Sequence, residues 1–211
     1  MIKVKVCGML DPLNIQEVIS TGPDYLGFIF YKGSKRYVGK DPDKALFLDI
    51  PVGIKKVGVF VNETPENVLA LAARYDLNPV QLHGNAPVGD CKVIATSGLS
   101  IIKAFGIGQA FDFDSLIPYQ PVCDYFLFDS RTEEHGGTGL RFNWDALNEY
   151  RLHVPFFLSG GISYEDAGTI RSMHHPFLHA ADINSRFELA PGIKDKERIQ
   201  SFIMEIKNVS L

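Results

Sequence analysis

Eight short apolar segments alternate with helix-like stretches along the whole chain, and this alternation restricts the fold more than any other feature. The strand-like segments are residues 2–7, 24–31, 55–61, 79–83, 99–105, 124–129, 154–159 and 177–183. Helical patterns fill 11–19, 64–75, 163–173 and 195–207, with shorter ones at 41–48, 111–117 and near Trp144. Asp11-Pro12 and Thr64-Pro65-Glu66 supply a capping side chain followed by proline, a helix-start signal. The connection after His83 is weaker, broken by glycine and proline as far as Thr96. Strand and helix in regular turn predict a parallel sheet. Eight such units closing on themselves make a (β/α)8 barrel, and 211 residues lie near its lower size limit. An open doubly wound sheet, with about five or six of the strands real, is the alternative. No linker or low-complexity segment divides the chain, so residues 1–211 read as one domain.

The first strand has two unlike faces. Ile2, Val4 and Val6 point one way; Lys3, Lys5 and Cys7 point the other. A strand between two apolar layers is apolar on both faces. In a closed barrel, Val4 and Val6 instead pack under the helices and Cys7 sits at the C-terminal mouth, where barrel enzymes keep their chemistry. A free cysteine is otherwise most often a small buried hydrophobe. Lys5 then points inward, one layer below the thiol. Closure sets the eighth strand beside the first, and there Leu178, Ala180 and Asp182 share a face by parity. A Lys5–Asp182 ion pair beneath the mouth is expected, because a buried ammonium without a partner is costly.

Asp129 ends the sixth strand and shares a face with Leu127 and Tyr125. Such an Asp often only caps the next turn. In a barrel it faces Cys7 across the mouth, where a thiolate and a carboxylic acid make a base and acid pair. Glycine-rich loops follow three strands: Glu133-Glu134-His135-Gly136-Gly137-Thr138-Gly139, Ser159-Gly160-Gly161, and the shorter Asn184-Ser185. Loops after strands seven and eight form the recurrent phosphate site of these barrels, on free backbone N–H groups. Arg36 lies in a cationic loop at the same mouth, and its neighbours Lys32 and Lys35 read as solvated charge. His174, His175 and His179 stand in the connection into the eighth strand, at the face that serves stability rather than chemistry, so no metal site is assigned to them. Gly106-Ile107-Gly108 reads as a loop, Asp112 and Asp114 as a helix start, and Cys91 and Cys123 as inert.

The formal net charge of -4, without any basic run, excludes a nucleic-acid or acidic-membrane surface. Three widely spaced cysteines form no disulfide framework, which points to a reducing, cytoplasmic setting. The N-terminal residues lack the apolar core of a signal peptide, and no stretch is long enough to span a membrane.

Lys5-Val6-Cys7-Gly8-Met9, Ser34-Lys35-Arg36-Tyr37, Val80-Gln81-Leu82-His83-Gly84, Phe128-Asp129-Ser130 with Gly136-Gly137-Thr138-Gly139, and Leu158-Ser159-Gly160-Gly161-Ile162 together resemble phosphoribosylanthranilate isomerases. The match runs in order from Val4 to Asp195. The resemblance implies a TIM barrel with neither metal nor organic cofactor, acting on a small phosphosugar as a monomer or a homodimer. It implies Cys7 as general base, Asp129 as general acid and Arg36 as anchor for the anthranilate carboxylate. It also implies substrate contacts from Gln81, His83, Gly160, Gly161, Asp182, Asn184 and Ser185. The reaction is an Amadori rearrangement of an aminoaldose to an aminoketose in tryptophan biosynthesis. It requires Asp129 to hold a proton, which burial favours, and Cys7 to be a thiolate, for which nearby positive charge is expected to lower its pKa. One position departs from the family pattern: Arg186 stands where a glycine is expected after Asn184-Ser185. Two rival readings remain. One is the related isomerase of histidine biosynthesis, which pairs two aspartates and would lack Cys7. The other is a non-catalytic barrel holding a phosphorylated ligand, which would lose Cys7 or Asp129.

Overall fold

The computed structural model describes residues 1–108, 110–130 and 142–208. The loop Glu133 to Gly139 lies outside the described residues. Strand β1 (Lys3–Cys7) pairs in parallel with β2 (Tyr25–Ile29) on one side and with β8 (Leu178–Ile183) on the other. Between them β3 (Lys55–Val61), β4 (Val80–His83), β5 (Ile101–Ile107), β6 (Tyr125–Ser130) and β7 (Phe156–Leu158) follow in chain order, so the sheet closes into a barrel. The open-sheet alternative is set aside by the β1–β8 pairing. Alternation along the strands separates two apolar regions. Val4, Val6, Phe28, Phe126, Phe128 and Ile183 pack outward under the helices, whereas Val57, Val59, Ile102, Ala104, Leu127 and Phe157 fill the barrel.

Helix α1 (Pro12–Ile19) is capped by Asp11, whose carboxylate accepts from Asn14 N at 2.8 Å. Helix α2 (Pro65–Tyr75) starts at the Thr64 cap, α3 (Val88–Ala95) forms without a side-chain cap, and α5 (Lys196–Lys207) begins at Asp195. The helix expected over 163–173 splits into a single 3-10 turn, Tyr164–Asp166, and the short α4 (Ala167–Arg171). The short helices expected at 41–48, 111–117 and Trp144 are 3-10 pieces, Lys44–Phe47, Phe113–Tyr119 and Trp144–Glu149. Segments this short gain little from α-helical propagation, and Pro118 interrupts the second. Asp112 does cap that turn, with Asp114 in it.

Two readings need correction. Gly106 and Ile107 are strand, not loop: β5 runs on because β6 offers Asp129 and Ser130 as partners. Leu178 does not share the inner face with Ala180 and Asp182 but packs against the outer cluster. An extra residue in β8, His179, opposite Phe156/Phe157 of β7, shifts the β7–β8 register there and breaks the parity. The three histidines do not gather. His179 enters the barrel floor, with Nε2 2.8 Å from Tyr25 Oη, while His175 packs on Phe156 outside. The structure also holds a hairpin that the period rules are too coarse to find: β9 (Glu188–Ala190) and β10 (Ile193–Lys194) pair antiparallel after β8, across Pro191-Gly192. Cys91 and Cys123 are buried and free, hydrogen-bonded to each other in the outer layer.

Candidate active site

Cys7 closes β1 at the mouth and is nearly buried. Its neighbour Gly27 leaves room for the sulfur: a Cβ there would stand 2.8 Å from Cys7 Sγ. Gly8 then turns the chain at φ +80°, and both Gly8 N and Met9 N donate to Gly27 O. Below the thiol, fully buried Lys5 donates to Asp182 Oδ1 at 2.8 Å, from the residue directly opposite it in register. The expected ion pair therefore forms. Burial pulls the Lys5 ammonium down, but Asp182 and Cys7 outweigh it and leave the pKa raised. Removing either partner of such a pair typically costs about 3–5 kcal/mol. A double-mutant cycle with Lys5→Met and Asp182→Asn, followed by denaturant unfolding, is expected to show losses well short of additive. Additive losses would mean that the two charges do not support each other.

The thiol itself departs from expectation. Burial pushes the Cys7 pKa up, and the opposing pull of Lys5 and Lys194 does not overcome it. The neutral thiol is thus the resting form. Asp129 moves in the expected direction: burial raises its carboxyl to about 6, although Ser130 N donates to Oδ1 at 2.7 Å. Cys7 and Asp129 stand at the C-terminal ends of β1 and β6 in one closed parallel barrel and so share its mouth, with the Lys5–Asp182 pair acting on both. Gly160 passes close above the acid; a Cβ on it would stand 2.9 Å from Asp129 Oδ1 and 2.8 Å from Ser130 N. Gly160 and Gly161 take φ +91° and +66°, the left-handed backbone that glycine allows cheaply.

Arg36 is held by a partner that the sequence did not reveal. Its Nε donates to Glu188 Oε1 at 2.8 Å and its Nη2 to Oε2 at 2.5 Å. Glu188 Oε1 also accepts from Lys194 Nζ at 2.7 Å and from Gly192 N at 3.1 Å. Lys194 Nζ donates in turn to Asn184 Oδ1 at 2.7 Å. Asn14 on α1 grips the Lys194 backbone from both sides, accepting from its N at 2.7 Å and donating to its O at 2.9 Å. Glu188 and Lys194 were missed because they lie in the short hairpin. The available signal was the family-like run Pro191-Gly192-Ile193-Lys194-Asp195. Around the mouth stand three cations, Lys5, Arg36 and Lys194, against two paired carboxylates, Asp182 and Glu188. Asp129, once ionised, offsets the remaining positive charge; when its carboxyl is protonated, that charge favours a thiolate at Cys7 or an anionic ligand.

Gln81 and His83 face the same interior from β4, hydrogen-bonded to each other, and the buried Gln81 Oε1 has no partner among the described residues. Asn184 and Ser185 follow β8 and open the 3-10 turn Ser185–Phe187, which carries Arg186. Lys32 and Lys35 are exposed, as their reading as solvated charge requires.

The family model described as N-(5'phosphoribosyl)anthranilate (PRA) isomerase matches residues 4–205. The chain belongs to that family. A curated N-(5'-phosphoribosyl)anthranilate isomerase of Parabacteroides distasonis is 45% identical over 204 residues, covering 96% of this chain and 92% of the relative. The crystal structure of the phosphoribosyl anthranilate isomerase from Thermotoga maritima superposes with a TM-score of 0.86 at 34% identity, covering 99% of this chain and 100% of that one. A phosphoribosyl anthranilate isomerase in complex with reduced 1-(o-carboxyphenylamino)-1-deoxyribulose 5-phosphate superposes with a TM-score of 0.83 at 32% identity, covering 99% and 100%. The chain is therefore an isomerase that converts N-(5'-phosphoribosyl)anthranilate to 1-(2-carboxyphenylamino)-1-deoxyribulose 5-phosphate in tryptophan biosynthesis. No helix among the described residues is long and apolar enough to cross a membrane.

Proposed function

We propose that Asp129 is the general acid and Cys7 the general base of this isomerisation. The observation that carries the assignment is their convergence on one mouth, above a buried Lys5–Asp182 pair that acts on both. Asp129 protonates the furanose ring oxygen, and the ring opens to an iminium. Cys7 then takes the C2 proton, which the adjacent iminium acidifies, and the resulting enol collapses to the ketose. At rest the shared proton sits on sulfur, with Asp129 ionised above about pH 6. Catalysis requires the reverse, a thiolate with a protonated acid. Lys194, which acts on Cys7, and the developing iminium both favour that exchange.

The two charged ends of the substrate lie away from the reacting carbons and supply positioning energy. Arg36 takes the anthranilate carboxylate. The phosphate falls to the backbone at Gly160-Gly161 and Asn184-Ser185. Gln81, whose buried oxygen has no partner among the described residues, His83 and Asp182 line the ribose between them. Three free cysteines support a cytoplasmic enzyme, and it acts as a monomer or a homodimer.

Replacing Arg36 by alanine tests the carboxylate end. KM for the natural substrate is expected to rise roughly tenfold or more, as loss of a charge-assisted bidentate contact implies. A substrate analogue lacking the carboxylate should bind wild type and variant about equally. Strong discrimination retained in Arg36→Ala would move the anchor elsewhere.

A further inference from the structure

We propose that Glu188 is a positioning residue for substrate recognition, holding Arg36 by one edge of its guanidinium so that the opposite edge meets the substrate carboxylate. This rests on the assignment of Arg36 as the carboxylate anchor. Glu188 occupies Nε and one N–H of Nη2, at 2.8 and 2.5 Å. Among the described residues nothing hydrogen-bonds Nη1, so the Nη1–Nη2 edge still offers a fork to a second carboxylate. Arg36 is thereby fixed in the free protein; its stem crosses directly over Gly8, where a Cβ would stand 2.5 Å from Arg36 Cδ. A long, flexible cation preset in this way loses less rotamer freedom when the ligand arrives.

Glu188 in turn is fixed, not merely adjacent. Its side chain is 5% exposed, and it accepts from Lys194 Nζ and Gly192 N as well as from Arg36. Lys194 sits at the junction. Through Glu188 it reaches the carboxylate end, and through Asn184 Oδ1 it reaches the loop assigned to the phosphate. Its backbone is clamped to α1 by Asn14. The hairpin therefore links the groups at both ends of one ligand. The alternative role for Glu188 is that of a competitor, a built-in carboxylate that the substrate must displace, and the two roles predict opposite signs.

Glu188→Gln keeps the shape of the side chain and removes its charge. Steady-state kinetics with N-(5'-phosphoribosyl)anthranilate should show KM raised about tenfold, roughly the worth of one charge-assisted hydrogen bond, with kcat changed far less. KM for the analogue without the carboxylate should barely move. In an Arg36→Ala background, the same substitution should add nothing. A KM that is unchanged or lowered would overturn the proposal, the lowered value marking a competitor. Because Glu188→Gln also leaves Lys194 without its counter-charge, Glu188→Asp, which keeps that charge, is the control and should bring KM back toward the wild-type value. Failure of the Arg36 assignment is separable, since Arg36→Ala would then keep its discrimination whatever Glu188 does.

Discussion

The Cys7→Ser enzyme is expected to fold, to bind its substrate and to lose roughly 10²–10⁴ of its turnover. Serine fits the space that Gly27 leaves beside Sγ, and Lys5 can hydrogen-bond its hydroxyl as it does the thiol. What the variant lacks is an ionisable group. Burial already raises the thiol's pKa, and a hydroxyl in the same place would not give up its proton at all in the working range. Turnover is followed by loss of the substrate's fluorescence, and folding by an unchanged unfolding midpoint. Wild-type kcat in this variant would remove Cys7 from the mechanism.

Asp129→Asn should cost a similar factor, because an amide cannot deliver the proton that opens the ring. Its pH dependence should change shape as well. In the wild type, activity rises with pH while both groups are protonated, since each step up frees more thiolate. The rise ends near the Asp129 value of about 6, beyond which the thiolate gained is offset by acid lost. Above the thiol's own raised pKa, activity falls. With asparagine at 129 the low break disappears, and the residual rate keeps rising toward the thiol's range. The substrate phosphate titrates alike in both measurements, so the comparison isolates Asp129. A residual rate that still levels off near pH 6 would assign the acid to another residue.

Much of the barrel was legible because its strands are two-faced. Lys3-Val4-Lys5-Val6-Cys7 could not lie between two apolar layers, and the same parity placed Lys5 opposite Asp182. Cys7 and Asp129 stood out as reactive groups at strand ends. What escaped was set by tertiary context. The sign of the Cys7 shift depends on how completely the thiol is buried against how many cations are themselves neutralised, and spacing reports neither. The partner that holds Arg36 escaped because Glu188 lies 152 positions away, in a hairpin whose strands are three and two residues long. The bulge opposite Phe156/Phe157 broke a parity that held over the rest of β8. Short helices became 3-10 turns where the chain had too few residues to propagate.

The clamp of Asn14 on Lys194 and the pairing of Lys5 with Asp182 join residues 180 and 177 positions apart. During synthesis the first strand leaves the ribosome long before the last. Until residues 178–194 emerge, Lys5 has no counter-charge, the first helix has no hairpin to grip, and Cys7 has neither Lys194 nor a fixed Arg36 beside it. Contacts that close so large a loop form late and slowly. The site of the thiol is consequently assembled last although the thiol is translated first, and a chain released short of its final unit carries Cys7 without the surroundings that turn it into a base.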